Sequence, residues 1–414
     1  MNTTSLSSPL RDRAYRRYWL AFTTSSFGDG VSSVAVPLTA VVTLHVNAMQ
    51  LGTLTALTWI PSLLLSMTAG AWVDRVGRKR MKMIWSNICS FVTLAIVSLI
   101  YAVGLLETWQ LYFAVFFCGA FSVVYNVCDA TLFATLLRPA NYIKGQSLLF
   151  GSAAVGSLAG PAVAGLLLEQ ISPPWVIAVD SASFACSAIL LASIHPQEPA
   201  RKFGESGGFI LGGLRFVRNN LIIRKALLGA ATSNLFYEMF QAIIFLYLTA
   251  ALHFTSGSIG LLLASRALGG VSGSAVANKL ACRFGVGYTL LIGSLGISTP
   301  LFFIIATRSL TGCLVVIPAV AFFCSGLGRA VQNISIGTVF LITVPGDLRS
   351  RVRGAFQTVS TGTRTFGALL GGILGTLIGL RVTLGIAAFG GSLACLWLIR
   401  SNLLKLHHPR DRSA

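Results

Sequence analysis

The chain has 414 residues, 54% of them hydrophobic and 10% charged, with a formal charge of +19. A soluble domain carries roughly 25% charged residues, so the composition excludes a soluble globular protein and points to an integral membrane one. Backbone crossing lipid must pair with itself, as helices or as a closed barrel. The apolar runs here are too long and too little alternating for a barrel, and at about 20 residues per helical span there is room for about twelve.

In chain order, the first span covers 18–44, preceded by Arg11, Arg13, Arg16 and Arg17 and followed by a turn without Lys or Arg. The second covers 51–73 and the third 83–105. Between them runs Gly70-Ala-Trp-Val-Asp74-Arg75-Val-Gly77-Arg78-Lys79-Arg80, with four cations and one acid in a connection too short to be a domain. Spans over 111–137, 147–168 and 176–194 follow. The turn Pro173-Pro174-Trp175 places a Trp at the interface, where it is favoured. A polar connection over 195–225 holds Ile210, Leu214, Val217 and Leu221 at helical spacing, which predicts an amphipathic helix on the inner membrane surface. Six further spans cover 226–252, 259–277, 288–306, 313–343, 354–377 and 383–399, ahead of a basic tail. The predicted organisation is an N-terminal six-helix bundle over 1–195, a cytoplasmic linker over 196–225, a C-terminal six-helix bundle over 226–401 and a cytoplasmic tail over 402–414.

The +19 charge invites a nucleic-acid partner, but the placement of the cations argues against one. All Lys and Arg except Arg308 and Arg381, in outer turns, and Arg266, Arg329 and Arg364, within spans, fall on one side of the membrane. By the positive-inside rule that side is cytoplasmic, with both termini on it. An internal repeat supports two halves. An offset of 208 carries Arg75 onto Arg283 and Gly77 onto Gly285, and 206 carries Pro139 onto Pro345. Offsets of 207 and 209 carry Gly160 onto Gly367, Gly165 onto Gly372 and Asp29 onto Glu238. In the second copy of the charged loop Cys282 stands where Asp74 stands in the first.

Ionisable groups at mid-span are costly and mark function. Asp29 and Glu238, matched across the repeat, are candidates to bind and release a proton, with Asp129 a third; each also admits a structural role. Asp129 lies toward the inner half, where an arginine is a possible partner. Asp180 lies nearer the outer interface and reads as a helix-end or outer-gate contact. Partners for Arg266, Arg329 and Arg364 do not follow from spacing. Together with Tyr125, Asn126, Asn234, Tyr237 and Gln241 they are candidates to line a polar cavity. Gly156, Gly160, Pro161 and Gly165 form a small-residue stretch that lets helix backbones approach and bends the span.

Eight Cys without a Cys-x-x-Cys pair read as free thiols. No His-x-x-x-His pair and no phosphate-loop motif occurs, and Gly204-Glu-Ser206-Gly-Gly208 follows a polar linker rather than the strand a nucleophile elbow needs. No metal, cofactor or catalytic set is expected, and an ion gradient is the expected power source.

The loop Gly70–Arg80 resembles the connection between spans 2 and 3 of the major facilitator superfamily. Further stretches strengthen the resemblance: Phe27-Gly-Asp29, Asp180-Ser-Ala-Ser-Phe184, Gly213-Leu-Arg-Phe-Val217, Arg351-Val-Arg-Gly354 and Gly367-Ala-Leu-Leu-Gly-Gly372. The stretch from Gly156 to Gly165 resembles the exporter motif Gly-x-x-x-Gly-Pro-x-x-Gly-Gly, departing from it at Ala164. The nearest subgroup by resemblance is that of drug:proton antiporters of the macrolide-efflux type. The resemblance implies an all-α protein of twelve transmembrane helices, arranged as two pseudo-symmetric six-helix bundles around a central cavity. It also implies alternating access and proton-coupled export of a moderately hydrophobic small molecule, a drug or secreted metabolite, by a monomer in a bacterial cytoplasmic membrane. On this reading Gly70, Asp74, Arg75, Gly77 and Arg78 form an inner gate, lopsided because Cys282 replaces the acid. A nutrient importer or uniporter and a non-transporting scaffold or receptor remain open alternatives.

Overall fold

The computed structural model describes residues 9–76, 78–137, 141–195, 215–306, 315–345 and 348–399, with the side chains of 66–76, 130, 131, 143, 350 and 351 outside that description. Gly77, the linker over 196–214, Arg308 and the tail over 402–414 therefore lie outside the described residues. So do the side chains of Asp74 and Arg75. Every described regular element is helical. The long helices are α1 (Arg13–Leu38), α2 (Ala48–Val76), α3 (Lys79–Ala102), α4 (Thr108–Leu136), α5 (Tyr142–Leu167) and α6 (Pro173–Ala192). They continue with α7 (Leu221–Leu246), α8 (Ser256–Phe284), α9 (Val286–Ser298), α10 (Val316–Thr343), α11 (Arg349–Leu377) and α12 (Leu380–Ser392). Pro300 turns the end of α9 into a 3-10 turn, Thr299–Leu301, before the short helix Phe302–Ala306, and Ala394–Ile399 extends α12.

Among the described residues nine helices are long and apolar enough to cross a membrane. The three others, α1, α10 and α11, carry Asp29, Arg329 and Arg364 together with many Ser, Thr and Gly. A charged group within a span needs a polar surrounding to face, since lipid does not tolerate one.

The repeat read from the sequence reappears in backbone details. Asp12 caps α1 by accepting from the amides of Ala14 and Tyr15, and Asn220 caps α7 by accepting from those of Ile222 and Ile223. Such caps satisfy amides that the first helical turn leaves unpaired. Both helices end in a π-helical turn, Thr39–Thr43 and Tyr247–Ala251. Both turns lead to a histidine in the left-handed region, His45 at φ 50° and His253 at φ 54°. Each of these pairs is separated by the offset that relates Gly77 to Gly285.

The structure divides into two compact units, Met1–His45 with Ile60–Glu205 and Val46–Trp59 with Ser206–Ala414. In the first, α1 packs on α5 and α6, and α3 packs on α6. In the second, α7 packs on α11 and α12, and α9 packs on α12. Glycine makes the closest crossings. A Cβ at Gly160 would come 2.7 Å from the Gly30 backbone, and one at Gly371 would come 2.5 Å from the Met239 carbonyl. The second unit also takes in the first turns of α2. There Gly52 meets Gly372 of α11, and the Met49 amide donates to Thr376 Oγ1 at 3.1 Å.

Tyr15, Tyr18, Met83, Leu132 and Leu191 are among the core of the first unit. Ile223, Val286, Leu290, Val339, Val352 and Leu398 belong to a core of the second. Val217, an apolar position of the linker's helical pattern, is buried in this second core, where the helical segment 215–219 turns its apolar side onto α7 and its neighbours. The basic residues at helix ends do local work. Arg17 donates to the Ser193 carbonyl at 2.6 Å and Arg80 to that of Ile194, so both cations sit at the negative end of α6.

Candidate functional site

Asp29 stands on α1 beside Gly30, where α1 crosses α5 backbone to backbone. It is exposed on the first unit, on a face it shares with Ser25, Ser26, Ser32 and Ser33. Gly30, Gly156 and Gly160 fix the position of that face, since a Cβ at any of them would run into the partner backbone. Pro161 and Gly165 continue the same helix, buried, with Ala164 buried where the exporter motif has glycine. The small-residue stretch thus packs the helix that carries the acid.

Asp180 lies deeper than the sequence suggests. It is the eighth residue of α6 and only 2% exposed. It accepts a hydrogen bond from Ser183 Oγ at 3.0 Å and another from Ser32 Oγ, over the bare backbone of Gly28. It is a packed acid between α1 and α6, within electrostatic reach of Asp29, rather than a helix-end contact. Distance from the end of an apolar run misled the expectation, because it cannot show which way a side chain points. Asp129, on α4, accepts from the Tyr18 hydroxyl at 2.7 Å. That phenol takes the place of the arginine offered as its partner. Tyr125 sits one turn away, within electrostatic reach of Asp129 and Asp29, while Asn126 is exposed and donates to Ser122 Oγ at 3.2 Å.

The second unit answers the question that spacing left open. Glu238 of α7, 6% exposed, pairs with Arg364 of α11, Oε1 to Nε at 4.0 Å. The Arg364 guanidinium lies over the Trp59 ring at 4.6 Å, and the indole N–H of Trp59 donates to Glu238. Arg266 of α8 donates from Nη1 to the Tyr237 hydroxyl at 3.0 Å, and Arg329 of α10 lies over the same ring at 4.4 Å. Arg266 is brought in by a tight α8–α10 crossing, where a Cβ at Gly326 would overlap the Arg266 carbonyl. Two unit charges 4 Å apart attract by ~4 kcal/mol at an effective dielectric of about 20, and desolvating both groups offsets much of that. Asn234 is buried one turn before Glu238, and Gln241 is half-buried one turn after it. Trp59 escaped the sequence reading, where it was one aromatic among many in apolar runs.

Of the inner-gate residues, Gly70, Asp74 and Arg75 fall within α2. Arg78 adopts the left-handed conformation, φ 50° and ψ 51°, as the residue before α3. Among the described residues no group of three or more His, Cys, Asp and Glu is arranged to hold a metal.

These features define a class: a multi-pass, all-helical membrane protein whose two halves repeat one fold. A family model of the Major Facilitator Superfamily matches residues 18–361. The chain belongs to that superfamily and is a transporter. Its relatives include Multidrug resistance protein 1 of Bacillus subtilis (strain 168), 25% identical over 354 residues, covering 82% of this chain and 85% of that protein. Another is Multidrug efflux pump Tap of Mycolicibacterium fortuitum, 25% identical over 380 residues, covering 87% and 88%. Among solved structures, the fold resembles a bacterial homologue of the iron transporter ferroportin in an inward-facing state, with a TM-score of 0.75, 16% identity and coverage of 94% of this chain and 98% of that one. The likeness to a mutant of the nucleoside transporter NupG has a TM-score of 0.73 at 14% identity, covering 94% and 98%. At these identities the structures speak to fold alone.

Proposed function

We propose that the protein is a secondary active exporter that moves a moderately hydrophobic small molecule out of the cytoplasm in exchange for protons. The observation that carries this reading is Asp29. It is a mid-span acid, exposed on a serine-lined face of α1 and held there by the glycine crossing with α5. A carboxylate at that depth must face water or protein rather than acyl chains, which assigns this face to the transport path. The relatives that are multidrug efflux pumps support the export direction.

In this mechanism a proton from outside neutralises Asp29, and the change of charge shifts the balance between outward-open and inward-open states. Release of that proton to the cytoplasm resets the carrier. Asp129, held by Tyr18, and Glu238, held by Arg364, are the other proton-carrying candidates. The stretch Gly70–Arg80 serves as an inner latch and orientation anchor, with both termini cytoplasmic. The proton gradient supplies the energy without a cofactor, and one chain in a bacterial cytoplasmic membrane suffices.

The test is drug accumulation in cells that express the protein. Against a panel of neutral and charged antibiotics and dyes, the wild type should lower accumulation of at least one compound, and Asp29→Asn should not. Equal protection by both proteins, at equal membrane levels, would contradict the role given to Asp29.

A further inference from the structure

Three arginines within spans are more than one acid needs. Arg266, Arg329 and Arg364 come from three different helices, α8, α10 and α11, and converge on Tyr237 and Glu238 of α7. All three act electrostatically on the single carboxylate of Glu238. Guanidinium groups do not deprotonate in proteins, so this cluster holds two positive charges beyond its own acid. A structural ion pair would balance. This one does not, and charge without a partner at membrane depth is costly.

The geometry of the groups is that of a site rather than of a closed network. Stacking on Tyr237 and Trp59 occupies guanidinium faces and leaves N–H edges free. Arg329 Nη1 and Arg364 Nε are buried and lack a hydrogen-bond acceptor. Each arginine is nevertheless partly exposed as a residue, Arg364 to 22% of its side chain, so a solute can reach the cluster. Planar guanidinium edges match the paired oxygens of a carboxylate or phosphate.

We propose that Arg266, Arg329 and Arg364 bind an anionic oxygen group, a carboxylate or phosphate, on the transported molecule. Glu238 is the internal counter-anion that this group displaces. Tyr237 and Trp59 are positioning residues that fix the guanidinium planes. The proposal rests on the transport reading and narrows it: the substrate is an amphiphile with an apolar body and an acidic group.

Binding to the purified full chain in phosphatidylcholine nanodiscs tests this, with dansylglycine and its neutral amide, dansylglycinamide, as matched probes. Dansylglycine should bind at least tenfold more tightly than the amide. Arg266→Gln and Arg329→Gln should remove that preference, and Arg329→Lys should retain part of it. Glu238→Gln, which removes the competing anion, should strengthen dansylglycine binding several-fold. Thermal unfolding identifies any variant that fails to fold, and the Lys and Glu238 variants then carry the test. Equal or absent binding of the two probes, a preference that survives both Gln variants, or weaker binding in Glu238→Gln would overturn the proposal. Discs with added phosphatidylglycerol separate a solute from a lipid headgroup. Loss of dansylglycine binding there would assign the cluster to lipid and overturn the substrate assignment. Drug efflux that persists with no anion preference would sink this inference alone. An anion preference without efflux of any compound would sink the export reading instead.

Discussion

Asp29 and Glu238 stand one residue out of register in the repeat, since the offset of 208 kept by the caps and π-helical turns of α1 and α7 carries Asp29 onto Tyr237. The two acids keep opposite company. Asp29 has a second acid, Asp180, within electrostatic reach, whereas Glu238 faces three arginines and the Trp59 indole. Glu238 therefore has a standing task as a counter-charge, and Asp29 is left for the proton. Asp29→Asn should cut gradient-driven efflux at least tenfold in everted vesicles while leaving thermal unfolding nearly unchanged, because the side chain is exposed. Asp180→Ala should do the reverse in its first effect. It leaves Ser32 and Ser183 without their acceptor inside the α1–α6 contact, at a cost of about 1–3 kcal/mol, read as a lower unfolding temperature in detergent. The sequence showed both acids, and the resemblance carried by Phe27-Gly-Asp29 singled out Asp29. Ser183, one helical turn on in Asp180-Ser-Ala-Ser-Phe184, was in view, but Ser32 was not, because it comes from another helix and depends on how α1 is rotated against α6. The partners of Arg266, Arg329 and Arg364 were illegible for the same reason.

At the scale of elements, the small-residue pattern was the most readable signal. Gly156 and Gly160 read as a place of close approach, and they meet Gly30 and Ser26 of α1. A side chain there must push two helices apart, and overpacking costs about 1–3 kcal/mol or more. Gly160→Val should therefore lower the yield of folded protein and efflux together. Gly151→Ala, one α5 position with open space, should change neither, as measured by size-exclusion profile and drug accumulation. The π-helical turns that end α1 and α7 left no trace in composition. They emerge only when backbone bonds are drawn, and their recurrence in both halves is what makes them informative.

For the whole molecule, charge placement and apolar length were sufficient to give twelve helices, and offsets near 208 gave their duplication. The allocation of Val46–Trp59 to the second unit was not legible, since helix length says nothing of which neighbours a helix meets on its way. That stretch brings Trp59 to Arg364. Trp59→Leu should release the guanidinium and, by removing a stacking partner worth about 0.5–2 kcal/mol, lower the unfolding temperature modestly while weakening substrate binding more than tenfold. Loss of stability with substrate affinity intact would assign Trp59 to packing only.

Proton-coupled export is the claim on which the rest depends. Its most direct test is transport into proteoliposomes of a compound identified by the accumulation screen, with the cytoplasmic side facing outward and the interior made acidic. Wild-type protein should concentrate the compound inside, a protonophore should abolish that accumulation, and Asp29→Asn should show none beyond equilibration. Accumulation that is the same with and without the imposed proton gradient would contradict the account.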